Sequence, residues 1–180
     1  LVKYLCTRRP GEELPGGRIV ETEAYGGVDD RASHAYGNRR TMRTAVMFRP
    51  GGVAYVYRCY GMHALLNVVT NAAGIPHAVL IRALEPTHGL DTMLRRAGKR
   101  QVDQSLTAGP ARLTKALGID TRHNGLSLMG DTIWIEEREQ PPRGDRIVAA
   151  RRVGVAYAGR DAGRRWRFYL RDSPWVSKRS

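Results

Sequence analysis

Two runs of strand-forming residues on either side of a three-residue turn constrain the fold of this chain more than any other feature. Residues 53–59 read VAYVYRC and residues 63–69 read HALLNVV, with Tyr60-Gly61-Met62 between them. Aromatic and β-branched runs that flank a short turn containing glycine predict a β-hairpin. Because a hairpin joins antiparallel neighbours, we expect a mostly antiparallel sheet with Tyr60 at a hairpin tip.

A run bounded by paired glycines predicts a second extended strand, over residues 16–27. Side chains of a strand point alternately to its two faces, so Glu21, Glu23 and Tyr25 are expected to share one face. Taken alone, a strand carboxylate such as Glu23 most often faces solvent. The long connection that follows, residues 26–52, has little periodicity and carries His34, and connections of this length are usually functional.

The apolar run over residues 78–84 predicts a buried strand that carries one charge, Arg82, which needs a partner there. Further elements are predicted as helices over residues 91–100 and 110–117 with Gly118 as a stop, strands over residues 132–136, 151–157 and 166–171, and a loop over residues 140–145. The chain shows no internal repeat and no shift of composition. These features predict one mixed α+β domain over residues 1–180, with helices flanking a curved sheet.

The charge balance restricts the partners of the chain. Its 180 residues include 30 Lys and Arg against 17 Asp and Glu, a formal net charge of +13, which favours polyanions and above all nucleic acid. No window approaches the roughly 18 consecutive apolar residues of a membrane span, and the first residues lack a signal-peptide pattern. We therefore expect an intracellular protein without a membrane partner, in the cytoplasm or nucleoid if it is bacterial.

Several cofactor classes are disfavoured by the sequence. No phosphate-binding loop or dinucleotide-binding glycine pattern is present, so ATP and NAD have no support. The two cysteines, Cys6 and Cys59, are too few for a disulfide framework and lack the spacing of a zinc site. We expect an enzyme without metal or cofactor, or a protein that binds nucleic acid without catalysis.

A set of ordered motifs resembles one family over nearly the whole chain, the alkyladenine (3-methyladenine) DNA glycosylases. The segments that carry the resemblance are Arg18-Ile19-Val20-Glu21-Thr22-Glu23-Ala24-Tyr25, Met47-Phe48 with Pro50-Gly51, Tyr55-Val56-Tyr57 with Tyr60-Gly61-Met62, Leu80-Ile81-Arg82-Ala83-Leu84-Glu85-Pro86, Arg151-Arg152-Val153-Gly154-Val155, Phe168-Tyr169-Leu170-Arg171 and Ser173-Pro174-Trp175-Val176-Ser177. The resemblance implies base-excision repair: a damaged purine is flipped out of duplex DNA and its N-glycosidic bond is hydrolysed. The implied lesions are 3-methyladenine, 7-methylguanine, hypoxanthine and ethenoadenine.

Catalytic roles follow from the resemblance by position. Glu23 matches the carboxylate that deprotonates the attacking water, and Arg82 and the backbone of Val153 match the groups that help to hold that water. The lysines at positions 3, 99, 115 and 178 lie outside the matched motifs, so no amine is implied as nucleophile. The implied enzyme is monofunctional and leaves an abasic site without breaking the strand.

The resemblance also implies binding roles. Tyr25 and Tyr57 match the rings that sandwich the flipped base, and His34 matches a residue at the base edge and the opposite stacking wall. Asn67 matches the amide that excludes the amino group of guanine. Leu80 matches a residue of the pocket. Tyr60 and Met62 match the hairpin tip that enters the DNA.

In the fold that the resemblance implies, this DNA-intercalating hairpin protrudes from the sheet. The fold is similar to the C-terminal RNA-binding domain of methionyl-tRNA formyltransferase. That similarity makes a non-catalytic nucleic-acid-binding module the alternative function. Members of the family usually carry a short helix before the segment that matches residues 1–5, which this chain starts too late to contain. The family further implies action as a monomer on damaged double-stranded DNA.

Overall fold

The computed structural model describes residues 1–138 and 146–177, so the loop predicted over residues 140–145 lies outside the described residues. Within them the chain forms a curled antiparallel sheet with helices packed against it, which confirms the predicted α+β fold. The elements, in chain order, are β1 (Tyr4–Thr7), β2 (Gly16–Tyr25), β3 (Ala54–Cys59), β4 (His63–Val69), β5 (Ala78–His88), α1 (Leu90–Ala97), α2 (Pro110–Leu117), β6 (Ile133–Glu136), β7 (Ile147–Ala150) and β8 (Arg167–Leu170).

Strand β2 lies in the middle of the sheet, whose order is β3-β4-β5-β2-β1-β6. On one edge β2 pairs with β5 along its whole length. On the other edge β1 pairs with residues 16–18 and β8 with residues 21–23, and β7 continues the sheet beyond β8. The segment around residues 21–23 is therefore enclosed by strands on both sides, although the sequence pattern alone favours a solvent-facing position for Glu23.

The hairpin predicted from the sequence is confirmed. Strands β3 and β4 pair from Ala54 opposite Val68 to Cys59 opposite His63, with residues 60–62 as the connecting turn. At this turn both Tyr60 (φ 50°) and Gly61 (φ 71°) adopt the left-handed conformation. That conformation is uncommon for a residue with a bulky side chain and carries a cost on the order of 1–2 kcal/mol.

Helix α2 begins and ends where its sequence predicts. Pro110 occupies the first turn, where its missing N–H costs nothing, and Gly118 (φ 68°) ends the helix by donating its N–H to the last turn. Helix α1 is shorter than the predicted 91–100, because Gly98 (φ 73°) forms the same kind of cap directly after Ala97. Both helices cover the main apolar core: Met93, Leu113, Ala116 and Leu117 pack with Leu66, Ile81 and Leu84 of the sheet.

The strand predicted over residues 151–157 is wrong. Strand β7 ends at Ala150, and residues 156–163 form a 3₁₀ segment instead. The alternation of Val153 and Val155 resembles a strand pattern, but Gly154 (φ 75°) lets the chain turn away from the sheet. The turn presents the backbone N–H of Val153 to the side chain of Glu23, and it is this contact that the local pattern does not reveal.

Among the described residues, none of the helices has the length and apolar character that a membrane crossing requires.

Candidate active site

All the predicted site residues except Met62 line one cavity of about 380 Å³. A cavity of this size falls in the range of small-ligand sites. The predicted residues that line the cavity are Glu23, Tyr25, His34, Tyr57, Tyr60, Asn67, Leu80, Arg82 and Val153. The remaining predicted residue, Met62, lies outside the cavity. Residues that are distant in sequence thus meet because β2 to β5 are neighbours in the sheet.

A row of residues across four strands forms the wall of this cavity. Glu23 of β2 is paired with Leu80 of β5, Leu80 with Asn67 of β4, and Asn67 with Tyr55 of β3. Directly paired residues project to the same face of a sheet. The carboxylate of Glu23 and the amide of Asn67 are therefore placed on one face, two strand spacings or roughly 10 Å apart.

Glu23 is fully buried at one end of the cavity, and its carboxylate accepts from groups on three segments. Oε1 accepts the backbone N–H of Val153 at 2.7 Å, and Arg82 Nη1 lies 3.3 Å from the same oxygen. Oε2 accepts the hydroxyl of Tyr25 at 2.9 Å. Burial and the neighbouring Glu23 carboxylate raise the pKa of Tyr25, so that its hydroxyl stays protonated and remains a donor.

Arg82 finds its partner in a second buried carboxylate as well as in Glu23. Its Nε donates to Oε1 of Glu21 at 2.9 Å, and the guanidinium thus lies between two acidic side chains that are each fully buried. A buried charge without partners would be strongly disfavoured. The need for a partner predicted from the sequence is satisfied by both carboxylates of the same strand face.

The aromatic wall of the cavity consists of Tyr55, Tyr57 and His34. The His34 ring meets the Tyr57 ring edge to face, with centroids 4.6 Å apart and planes at 79°. The rings of Tyr55 and Tyr57 are 5.3 Å apart. The guanidinium of Arg43 lies 4.8 Å from the centre of the Tyr57 ring. Three stiff rings in mutual contact present an apolar surface that a planar ligand can stack on.

His34 is held as a neutral ring. Burial, followed by the charges of Arg43 and Arg39, lowers the pKa of His34 to about 4. Its Nδ1 lies 2.7 Å from the hydroxyl oxygen of Tyr55, and Arg43 Nη2 lies 3.4 Å from its Nε2. Because a guanidinium can only donate, Nε2 accepts and the single ring proton resides on Nδ1.

An ion pair supports the segments around Tyr25 and Val153. Arg152 and Asp30 form a two-point pair with both side chains fully buried, and Arg152 also donates to the backbone oxygens of Ala24 and Asp161. Burial raises the pKa of Asp30, but the hydrogen bonds from Arg152 and from the backbone N–H groups of Gly26 and Ala32, with the charge of Arg152, together outweigh it and hold that pKa below its ordinary range. The guanidinium lies 4.9 Å from the centre of the Tyr25 ring, so the pair also supports that ring from behind.

Asn67 and the hairpin tip have opposite environments. Asn67 is buried, and its Nδ2 donates to the backbone oxygen of Tyr55 at 3.2 Å, which fixes the amide against the wall. Tyr60 is 89% exposed and Met62 is 78% exposed. Two large apolar side chains on an exposed and strained turn suggest a surface that meets a partner.

The structure also adds residues that the sequence analysis did not select: Glu21, Asp30, Arg43, Tyr55 and Arg152. For Glu21 and Asp30 the sequence offers one signal, because an acidic residue beside a predicted pocket needs a basic partner. Arg43 and Arg152 gave no such signal among so many arginines. Within the described ranges 1–138 and 146–177, no group of three or more His, Cys, Asp or Glu side chains is placed to hold a metal ion.

Comparisons with known proteins find similar sequences over nearly the whole chain. The family model described as "Methylpurine-DNA glycosylase (MPG)" matches residues 1–174. Curated relatives named "Putative 3-methyladenine DNA glycosylase" include one from Desulfitobacterium hafniense, which is 46% identical over an alignment of 184 residues that covers 98% of this chain and 89% of the relative. The relative from Clostridium novyi is 42% identical over an alignment of 170 residues that covers 91% of this chain and 83% of the relative.

Proposed function

The chain belongs to the methylpurine-DNA glycosylase family and is a DNA glycosylase of DNA repair, and on that premise we propose how its cavity works. Our proposal is a monofunctional enzyme that flips an alkylated or deaminated purine out of duplex DNA and hydrolyses its N-glycosidic bond. The implied lesions are 3-methyladenine, 7-methylguanine, hypoxanthine and ethenoadenine, and the product is an abasic site.

One observation carries this proposal: a fully buried carboxylate, Glu23, ends a cavity lined by aromatic rings on a protein of high positive charge. A protein that only binds nucleic acid gains nothing from this carboxylate, because its charge opposes the approach of phosphates. A glycosylase needs it. Positive charge develops on the sugar as the glycosidic bond breaks, and a carboxylate held nearby stabilises that charge and accepts a proton from water.

In the reaction, the water oxygen forms a bond to the anomeric carbon of the sugar and the base leaves with the electron pair of the glycosidic bond. Glu23 takes a proton from the attacking water, while Arg82 and the N–H of Val153 hold the carboxylate in place. A cationic base such as 3-methyladenine leaves without further help. A neutral base such as hypoxanthine needs a proton as it departs, so cationic lesions are expected to be released faster.

Base recognition is proposed to use the aromatic wall and the row across the sheet. Tyr57 and His34 form one side of the slot, and Tyr25, supported from behind by Arg152, forms the other. The Asn67 amide, fixed by its bond to Tyr55, is placed to clash with the extra amino group of guanine. Leu80 lies between Glu23 and Asn67 in the row and supplies an apolar contact in the pocket.

DNA engagement is proposed to depend on the hairpin tip. Tyr60, with Met62 beside it, enters the space left by the flipped nucleotide and offsets part of the unstacking cost, which is a few kcal/mol. Arg43 and Arg58 are exposed at the cavity rim, where their charges can meet the flanking phosphates. No lysine lines the cavity, although Lys178 lies outside the described residues, and this supports water as the nucleophile.

The test is single-turnover base release from a labelled duplex with one hypoxanthine, and from methylated DNA, with and without alkali. Wild type should give breaks only after alkali, because an abasic site is cleaved by alkali and a glycosylase without an amine nucleophile leaves the strand intact. Glu23→Gln should lose release while keeping DNA affinity. The matched control is Glu85→Gln, which removes a carboxylate paired with Arg18 on the same two strands but away from the cavity.

Two results would contradict the proposal in different ways. Breaks that form without alkali would contradict the monofunctional mechanism. Salt-sensitive DNA binding without any base release by wild type would favour the non-catalytic nucleic-acid-binding module.

A further inference from the structure

We propose that Glu21, assisted by Ser177, is a positioning residue for the glycosylase reaction: it holds Arg82 by one edge of the guanidinium, so that the opposite edge faces Glu23. The inference rests on the proposed role of Glu23 and deepens it. Glu21 touches neither the cavity nor the reacting atoms, so it is not itself catalytic.

Glu21 is fully buried and accepts hydrogen bonds from three residues. Its Oε1 accepts from Arg82 Nε at 2.9 Å, from Arg167 Nη1 at 3.1 Å and from the Ser177 hydroxyl at 3.0 Å. Its Oε2 accepts the backbone N–H of Ser177 at 2.7 Å. A carboxylate saturated in this way has little freedom to move, and it transmits that rigidity to Arg82.

The backbone is irregular at the point where this contact is made. Pairing between β2 and β5 passes from Glu21 opposite Ala83 directly to Thr22 opposite Ile81, so Arg82 has no paired residue and forms a bulge. A bulge bends its strand locally and redirects a side chain. Here it directs Arg82 into the space between Glu21 and Glu23, and strand β8 closes that space from the other edge through Arg167.

The charges of this cluster balance, since two carboxylates, Glu21 and Glu23, are matched by two guanidiniums, Arg82 and Arg167. The closer Arg82 contact is to Glu21, at 2.9 Å, against 3.3 Å to Glu23. Without the charge of Glu21, Arg82 can turn and pair with both oxygens of Glu23, as guanidiniums readily do with carboxylates. Glu23 would then be bound by Arg82 at both oxygens and would be a poorer proton acceptor. Sharing Arg82 keeps an oxygen of Glu23 available to water.

The main test is Glu21→Gln in single-turnover release of hypoxanthine, with affinity for the same duplex measured in parallel. Gln keeps the shape and an acceptor oxygen but removes the charge. We expect the rate to fall about 10- to 100-fold, since a displacement of about 1 Å in a site costs on the order of 100-fold. The affinity should change less than about twofold, because Glu21 lies away from the DNA-facing surface. Glu85→Gln serves again as the matched control and should keep both values.

A double-mutant cycle separates positioning from mere structural support. If Glu21 acts through Arg82, then adding Glu21→Gln to an Arg82→Met enzyme should cause no further loss of rate. If Glu21 only maintains the fold, the two losses should multiply, and this would overturn the proposal.

Ser177→Ala keeps the test decisive if Glu21→Gln fails to fold. This change removes the hydroxyl that contacts both Glu21 and Arg82 Nη2, at 3.0 and 3.3 Å, but leaves the backbone donor in place. We expect a smaller, several-fold loss of rate with unchanged affinity, and a rate equal to wild type would overturn the proposal. Failure of wild type itself to release base would contradict the proposed function instead, so the two failures are distinguishable.

Discussion

The two ends of the cavity are built in opposite ways. One end, which we call the charged floor, consists of Glu23, Arg82 and the N–H of Val153, with Glu21 behind it and outside the cavity, and the three side chains are at most 8% exposed. The other end is the hairpin tip, Tyr60-Gly61-Met62, where Tyr60 is 89% exposed. The floor is fixed by hydrogen bonds from several strands, whereas the tip depends on a single turn.

This difference matches two different physical tasks. Bond cleavage requires donors and acceptors that are fixed before the substrate arrives, and a low-dielectric enclosure strengthens their effect. Displacing a nucleotide requires an apolar group that leaves water only when DNA is present, and such a group must be exposed in the free protein. Substitutions at the floor should therefore affect chemistry or folding, and substitutions at the tip should affect DNA engagement alone.

The largest of the effects below is expected beside the charged floor. Asp30→Asn leaves the buried guanidinium of Arg152 without a matching charge, and breaking a buried pair in this way costs about 3–5 kcal/mol. Urea unfolding followed by circular dichroism measures the loss. The neighbouring Asp29 is exposed, so Asp29→Asn is the matched control. Equal stability of the two variants would contradict the assigned role of the pair.

A substitution at the hairpin tip should lower the rate of base release but leave the stability of the protein nearly unchanged. Tyr60→Gly removes the proposed wedge and also the strain of a left-handed tyrosine. Base release from a fully paired duplex should fall about 10- to 100-fold, which corresponds to the ~1–3 kcal/mol of one stacked ring. The free energy of unfolding should stay within about 1 kcal/mol of wild type. A large loss of stability would show that the tip supports the fold.

A third prediction concerns the pH dependence of stability at the aromatic wall. The pKa of His34 is about 4 in the folded protein, below its ordinary value, so the unfolded chain binds a proton first as the pH falls. The stability that His34 contributes is therefore complete above about pH 6.5 and is lost progressively towards pH 4. Melting temperatures measured between pH 7 and 4.5 should fall less steeply in His34→Gln than in wild type.

The matched control for His34 is His63→Gln, because His63 is exposed next to the hairpin tip. Its melting temperatures should follow the same pH dependence as wild type. Parallel curves for His34→Gln and wild type would show that His34 is not held neutral by burial.

The smallest effect is expected from one charge at the cavity rim. Arg58→Gln should weaken binding to any duplex and reduce the slope of log affinity against log salt by about 1, the loss of one phosphate contact. Arg100 is exposed after α1 and does not line the cavity, so Arg100→Gln should leave the slope unchanged. Equal slopes for the two variants would show that Arg58 does not contact the DNA.

The sequence predicts those parts of the molecule that local rules govern. The β3–β4 hairpin, strand β2 and helix α2 follow from alternation, turn residues, and the proline and glycine at the helix ends. The strand predicted over residues 151–157 is wrong, because its direction is set by a contact between Val153 and Glu23, which are 130 positions apart. Local patterns carry no information on a contact of that range.

The same limit applies to the site. The family resemblance identifies Glu23, Arg82 and the aromatic residues by position, and the structure brings them to one cavity. The family resemblance does not reveal that Arg82 is shared between Glu23 and Glu21. That sharing depends on a bulge in β5 and on strand β8 at the far edge of β2. Neither feature leaves a signature in the sequence of β2 itself.

The most direct test of the division between floor and tip compares Glu23→Gln and Tyr60→Gly on two substrates. One duplex has hypoxanthine in a stable pair, and the other has it in a mismatch that lowers the cost of flipping. Single-turnover release by Tyr60→Gly should return to within a few-fold of wild type on the mismatched duplex. Release by Glu23→Gln should stay slower by about 100- to 10,000-fold on both. Recovery of Glu23→Gln on the mismatch, or equal loss of Tyr60→Gly on both duplexes, would contradict the account.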